Sequence, residues 1–243
     1  MILPFVRDLF ADVENLPGFT RAASHLKNGM GGISVSGLTP TAKALLIALL
    51  SRATAKPLIV VVPSNRAAEE LQPSVEAFAE LAGALRKDAE IVALPAPDVL
   101  PYEGLSPHPE IQEQRAAALW RIAQGNAAIA IVPVTSAAMR LGDPEFYFML
   151  ARPLRKSDTV EIDGLVQWLN TVGYTAVDVV EMPGEYAVRG GILDVYGPEM
   201  ERPVRLELFG DEVESIRKFD PATQRSSGAL DEIILLPLTE TPV

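Results

Sequence analysis

Residues Gly37-Leu38-Thr39-Pro40-Thr41-Ala42-Lys43-Ala44 carry the glycine-to-lysine spacing of a phosphate-binding loop. In the pattern G-x-x-x-x-G-K-[ST], backbone N–H groups cradle the phosphates, the lysine reaches the outer ones and the last hydroxyl holds Mg²⁺. Gly37 and Lys43 fit this pattern. Ala42 stands where a second glycine would let the backbone approach, and Ala44 has no oxygen to offer a metal. Pro40 also removes one backbone donor. Two readings follow. One is a degenerate nucleotide loop made of Gly37, Thr39, Ala42, Lys43 and Ala44. The other is an ordinary strand–turn–helix corner with Lys43 as a solvated first-turn residue. Neither supports nucleotide hydrolysis, because the metal ligand is missing.

Other catalytic chemistry finds little material. The chain has no cysteine and only two histidines, His25 and His108, so disulfides, thiolate sites and a Cys nucleophile are excluded and a histidine metal site nearly so. Ser64, Ser106 and Ser136 lie outside any G-x-S-x-G context, so no hydrolase triad is supported. No catalytic residue, metal ligand or cofactor is assigned. Binding chemistry is better represented. In 204–209 the residues alternate, so that Val204, Leu206 and Leu208 share one face and Arg205, Glu207 and Phe209 the other. An arginine beside a large aromatic has the composition of an interface hot spot, and its guanidinium suits a partner carboxylate. Arg189 precedes Gly190-Gly191, where a bend or bulge is expected. The competing reading is a surface salt bridge with Phe209 tucked beneath a loop.

The elements that must position these residues fall into two patterns. The first part alternates strands and helices: strands at 32–36, 58–62, 91–94 and 128–132, and helices at 41–52, from 65 onward, and at 110–124. The run 58–62 is continuously apolar, as in a strand buried on both faces. Leu71, Val75, Phe78, Leu81 and Leu85 mark one helix face, with Pro73 expected to kink or restart it. Such alternation predicts a parallel α/β sheet. Beyond Gly142-Asp143-Pro144 one helix, 164–171, is followed by strands at 175–182, 192–196, 204–209, 213–219 and 232–236, an α+β pattern with an antiparallel sheet. Charge changes at the same place. Residues 1–142 have 12 basic and 13 acidic side chains, whereas 143–243 have 9 and 19, within a net charge of −11. The expectation is two domains, 1–142 and 143–243. The acidic balance argues against nucleic acid as the main partner. The apolar start is interrupted by Pro4, Arg7 and Asp8, and no run approaches the roughly 20 residues that span a bilayer. A cytoplasmic protein without membrane contact is the default.

Three stretches resemble a known family. Leu100-Pro101-Tyr102-Glu103, followed by Ser106-Pro107-His108-Pro109-Glu110, is similar to the amino-terminal region of the bacterial transcription-repair coupling factors. Residues 183–195, with Arg189-Gly190-Gly191-Ile192-Leu193-Asp194-Val195, resemble the module these factors share with UvrB, the excision-repair helicase. The match continues through 205–217, with Arg205-Leu206-Glu207-Leu208-Phe209-Gly210-Asp211-Glu212. UvrB keeps an intact phosphate loop and the coupling factors a degenerate one, so Ala42 and Ala44 favour the latter.

The resemblance implies a P-loop-like α/β domain with a degenerate loop, then a smaller α+β interaction domain of UvrB type. It implies that the second domain docks UvrA, the damage-sensing ATPase. The implicated positions fall on Arg189, Arg205 and Phe209, with Glu207 matching an acidic residue of the UvrB surface. Further arginines of UvrB correspond to Ala176 and Ala187 here. The family continues into another UvrB-like segment, an RNA-polymerase-binding module and a DNA-translocating motor. The chain is therefore expected to be an amino-terminal fragment, with ATP, Mg²⁺, RNA polymerase and DNA engaged only by the missing parts. Two further readings stay open: an ATP-hydrolysing fragment retaining phosphate binding through Lys43, and a DNA-binding UvrB-like helicase fragment.

Overall fold

The computed structural model describes residues 4–29, 31–99 and 104–242. The motif 100–103 lies outside the described residues. Two compact units are formed, one from residues up to 96 with 124–140, the other from 97–123 with 141 onward.

The first unit opens with helices α1 (Pro4–Glu14), α2 (Pro17–Asn28) and α3 (Pro40–Thr54), then strand β1 (Leu58–Val62), helix α4 (Asn65–Ala82) and strand β2 (Glu90–Ala93). The chain leaves for α5 (Pro109–Ala123), part of the second unit, and returns as β3 (Ala127–Pro133) and the short α6 (Val134–Ala137). The three strands form a parallel sheet in the order β1-β3-β2. Local chemistry sets the helix ends. The Thr39 hydroxyl accepts the Ala42 N–H at the start of α3, the Ser64 hydroxyl accepts the Ala67 N–H at the start of α4, and Gly83 ends α4 in the left-handed region. Ala44, Ala68 and Val75 from the helices meet Val62, Ile129 and Ile131 of the sheet.

Three sequence expectations change in this unit. Residues 32–36 are not a strand: they are exposed and no described strand pairs with them. Alternation alone does not make a strand, which needs a neighbour to take its N–H and C=O groups. β1 is an edge strand covered on one face only, with Ile59 and Val61 exposed, rather than buried on both. Pro73 neither ends nor restarts α4, which runs through it. Pro73 and Glu69, whose carbonyl loses its helical donor, both lie on the solvent side, where water can replace that hydrogen bond.

Among the described residues the second unit combines α5 with α7 (Pro144–Met149), α8 (Ile162–Thr171) and eight strands: β4 (Arg152–Arg155), β5 (Thr175–Ala176), β6 (Glu185–Arg189), β7 (Ile192–Val195), β8 (Val204–Phe209), β9 (Glu212–Phe219), β10 (Ser226–Leu230) and β11 (Glu232–Leu235). Six form one sheet in the order β10-β9-β8-β7-β6-β5, antiparallel except between β5 and β6, while β11 and β4 pair separately. The inner row Leu193, Leu206 and Ile216 packs with Leu165 and Leu169 of α8 and with Leu154 and Leu235 of the small sheet. Tyr174 is buried in this core and donates its hydroxyl to the Leu236 carbonyl at 2.8 Å. Burial, reinforced by the charge of Glu113, pushes its phenol well above the usual range. The strand expected over 175–182 is only Thr175–Ala176, the strand that carries Arg189 is β6, and β4 and β10 lie outside the expected strands.

The division is not a single cut near Gly142. Arg115 of α5, 1% exposed, donates Nε and Nη2 to the Glu240 carboxylate at 2.6 and 3.0 Å. Ala117 and Trp120 pack with Ala151 and Leu236, and Arg121 forms an ion pair with Glu199. A helix that reads like part of an alternating βα pattern is thereby held in the second unit by partners far along the chain. Among the described residues no helix is long and apolar enough to cross a membrane.

Candidate functional site

The phosphate-loop residues sit at an exposed helix start rather than in a strand–loop–helix corner. Gly37 has a φ of +78°, a left-handed conformation that favours glycine. Pro40 occupies the first helical turn without an N–H, and Ala42 donates its N–H to the Thr39 hydroxyl at 3.2 Å. Lys43 donates its N–H to the Thr39 carbonyl at 2.9 Å, and its side chain is exposed. Ala44 is completely buried among Val62, Ile129 and Ile131. The helix start thus uses its own threonine where a phosphate cradle would keep a donor open. The position of the metal-binding hydroxyl faces an apolar core.

The second set of residues is organised by two hairpins at one end of the six-stranded sheet. β6 and β7 are joined by Gly190-Gly191, and β8 and β9 by Gly210-Asp211. Gly190 and Gly210 have φ of +60° and +59°. A Cβ at Gly191 would lie 2.6 Å from the Leu208 carbonyl oxygen, so only glycine lets β7 approach β8 here. Gly190-Gly191 is therefore a tight hairpin turn, not a bend or bulge within one strand. Pairing places Arg189 opposite Ile192, Ile192 opposite Glu207, and Glu207 opposite Ser215. Directly paired residues project from the same face, so these four form one row on the outer face. Phe209, two residues beyond Glu207, lies on that face at the hairpin end and is 81% exposed. It is not tucked beneath a loop.

One row further from the hairpins the chemistry differs. Asp194 pairs with Arg205, and Arg205 with Arg217. Asp194 is 2% exposed and accepts two hydrogen bonds from Arg205, Nε to Oδ1 at 2.6 Å and Nη2 to Oδ2 at 2.7 Å. The Arg205 guanidinium also lies 4.8 Å over the Phe219 ring and reaches the Gln224 carbonyl with Nη1 at 3.5 Å. The Asp194 hydrogen bonds raise the pKa of Arg205 further, against an opposing effect of burial. Arg205 is thus committed to an internal pair, with Ala187, Val180 and Phe219 forming a small core beside it. Ala176 lies exposed on the edge strand β5.

The remaining residues of the set are less constrained. Arg189 is exposed and donates Nη2 to the Asp178 carbonyl at 2.8 Å. Glu207 accepts the Ser215 hydroxyl at 2.6 Å, and Arg217 Nη2 is 4.0 Å from it. Sequence reasoning passed over Ile192 and Arg217. The signal was present: a two-residue glycine turn fixes Ile192 opposite Arg189, and alternation in 213–219 separates Arg217 from buried Val213 and Ile216 once the bulge at Glu214 is allowed for.

One comparison with known proteins falls on the same region. Residues 153–240 match the UvrB interaction domain. The transcription-repair-coupling factor of Haemophilus influenzae is 34% identical over 208 residues, covering 86% of this chain and 18% of that protein. The Myxococcus xanthus factor is 34% identical over 223 residues, 91% of this chain and 18% of its own length. The Escherichia coli factor is 32% identical over 205 residues, with 84% and 17% covered. The chain is related to the transcription-repair coupling factors over most of its length and spans less than a fifth of theirs.

Proposed function

We propose that this relative of the transcription-repair coupling factors is a recruitment module that docks UvrA, linking stalled transcription to nucleotide excision repair. The observation that carries the reading is Phe209, an aromatic ring 81% exposed at a sheet tip and on the same face as Arg189 and Glu207, within the stretch that matches the UvrB interaction domain. Single exposed apolar residues are common. A bare phenylalanine held by a two-residue hairpin, on the same face as an arginine two strands away, has a better explanation as an anchor that a partner covers.

The docking residues in this reading are Arg189, Glu207 and Phe209, with Arg205 supporting them. The module itself is non-catalytic, because the degenerate loop of Gly37, Thr39, Ala42, Lys43 and Ala44 has one donor capped by Thr39 and no metal-binding hydroxyl. ATP, Mg²⁺, RNA polymerase and DNA belong in this reading to other parts of a full-length coupling factor acting in the cytoplasm. Titration of UvrA against this chain tests the proposal. Arg189→Ala and Phe209→Ala should each weaken binding about thirtyfold, the equivalent of about 2 kcal/mol, with melting temperatures unchanged. Wild-type affinity in both variants would refute it.

A further inference from the structure

The outer face of the sheet does not offer all its arginines equally. Arg205 spends Nε and Nη2 on Asp194, and its flat face on Phe219. Little of its fork is left for a second carboxylate. Arg217 lies directly opposite it on β9 with about half its side chain exposed, and its nearest carboxylate, Glu207, is 4.0 Å away and bonded to Ser215. Two arginines facing each other across a strand pair repel. Asp194 offsets the charge of Arg205, so Arg217 carries the uncommitted guanidinium of this row.

The apolar side of the face is also larger than one ring. Ile192, 36% exposed, stands between Arg189 and Glu207 in the row next to Phe209. Gly190 and Gly191 contribute no side chain that could cover either residue. An exposed apolar pair thus runs along the centre of the face. Arg189 on β6 shares the Ile192 row and Arg217 on β9 lies one row further from the hairpins, so the two arginines stand on either side of Ile192, three strand spacings or roughly 14 Å apart across the sheet.

We infer that Ile192 and Arg217, rather than Arg205, complete the docking surface, and that the partner presents an apolar socket bordered by two carboxylates. The inference rests on the UvrA-docking reading and extends it to residues which that reading does not include. Ile192 and Phe209 exclude water at the centre, where the flanking charge-assisted hydrogen bonds are stronger than at a wet rim. Arg205 acts on binding through Asp194, by holding β7 and β8 in place.

UvrA affinity is to be measured for the wild-type chain and for Ile192→Thr, Arg217→Ala, Arg217→Lys and Phe209→Ala, with thermal melts for each. Ile192→Thr keeps a β-branched side chain, and neither position is in the core, so folding should persist. Ile192→Thr and Arg217→Ala are each expected to weaken binding about tenfold. Arg217→Lys should recover only part of the loss, because an ammonium cannot fork a carboxylate. Binding by Arg217→Ala should also depend less on salt than wild-type binding does. If both variants bind within twofold of wild type while Phe209→Ala loses affinity, the inference is overturned and the docking reading stands. If Phe209→Ala and Arg189→Ala also bind normally, both fall.

Discussion

Replacing Arg205 with alanine should destabilise the second unit rather than merely blunt its surface. Asp194 is 2% exposed and receives both of its short hydrogen bonds, at 2.6 and 2.7 Å, from the Arg205 fork. Removing one partner of a buried ion pair leaves an uncompensated charge and costs about 3–5 kcal/mol. Loss of the contact with Phe219 adds a smaller amount, on the order of 0.5–1 kcal/mol. For a unit of this size the melting temperature should fall by about 10 °C or more. Circular dichroism during heating and urea titration would measure the change, with UvrA binding followed in parallel. Replacing both members with apolar residues, Asp194→Leu with Arg205→Met, removes the buried charge and should return stability to within about 1 kcal/mol of wild type. UvrA binding should return with it if Arg205 supports the surface without touching the partner. An Arg205→Ala chain that melts within about 2 °C of wild type yet fails to bind UvrA would refute this reasoning, because Arg205 would then act by direct contact.

Other predictions concern the loop, the clasp and a turn. The chain should release no phosphate from Mg·ATP above background, and Ala44→Thr should lower stability by about 1–3 kcal/mol instead of creating a metal site, because the new hydroxyl enters an apolar core; a hydrolysis rate that disappears in Lys43→Ala would overturn this. Glu240→Ala should destabilise the second unit by removing two charge-assisted hydrogen bonds from the buried Arg115 guanidinium, and hydrogen exchange should show α5 losing protection first. Asp220 accepts the N–H groups of Ala222 and Thr223, and the Thr223 bond chiefly holds its carboxyl below the ordinary 3.8. Because the folded value is the lower one, its contribution is complete above that ordinary value and is lost as pH falls through the folded value. Amide protection of Ala222 and Thr223 should therefore drop at acid pH in the wild type, while Asp220→Asn should show no such step.

Much of the framework was legible because it is local. The helix after Pro40, the apolar runs of β1 and β3 and the alternation of β8 depend on residues a few positions apart. Such short-range rules placed Arg205, Glu207 and Phe209 on one face and identified Ala42 and Ala44 as departures from a phosphate loop. Residues 32–36 show where local reasoning stops: they alternate like a strand, but strand formation depends on a neighbouring ladder.

What tertiary structure decided are the pairings between distant residues. Asp194 and Arg205 are an unremarkable acid and base in the sequence, and only the register of β7 against β8 makes them a buried pair. The same register sets Ile192 between Arg189 and Glu207, and that of β9 sets Arg217 opposite Arg205. Likewise α5 reads as part of the first domain, yet Arg115 finds its carboxylate 125 residues later at Glu240 and belongs with the second. The amino-acid types determined which elements could form and which faces were polar. Which charges remain available to a partner depends on which of them become buried together, and burial is a property of the packed chain rather than of any local stretch.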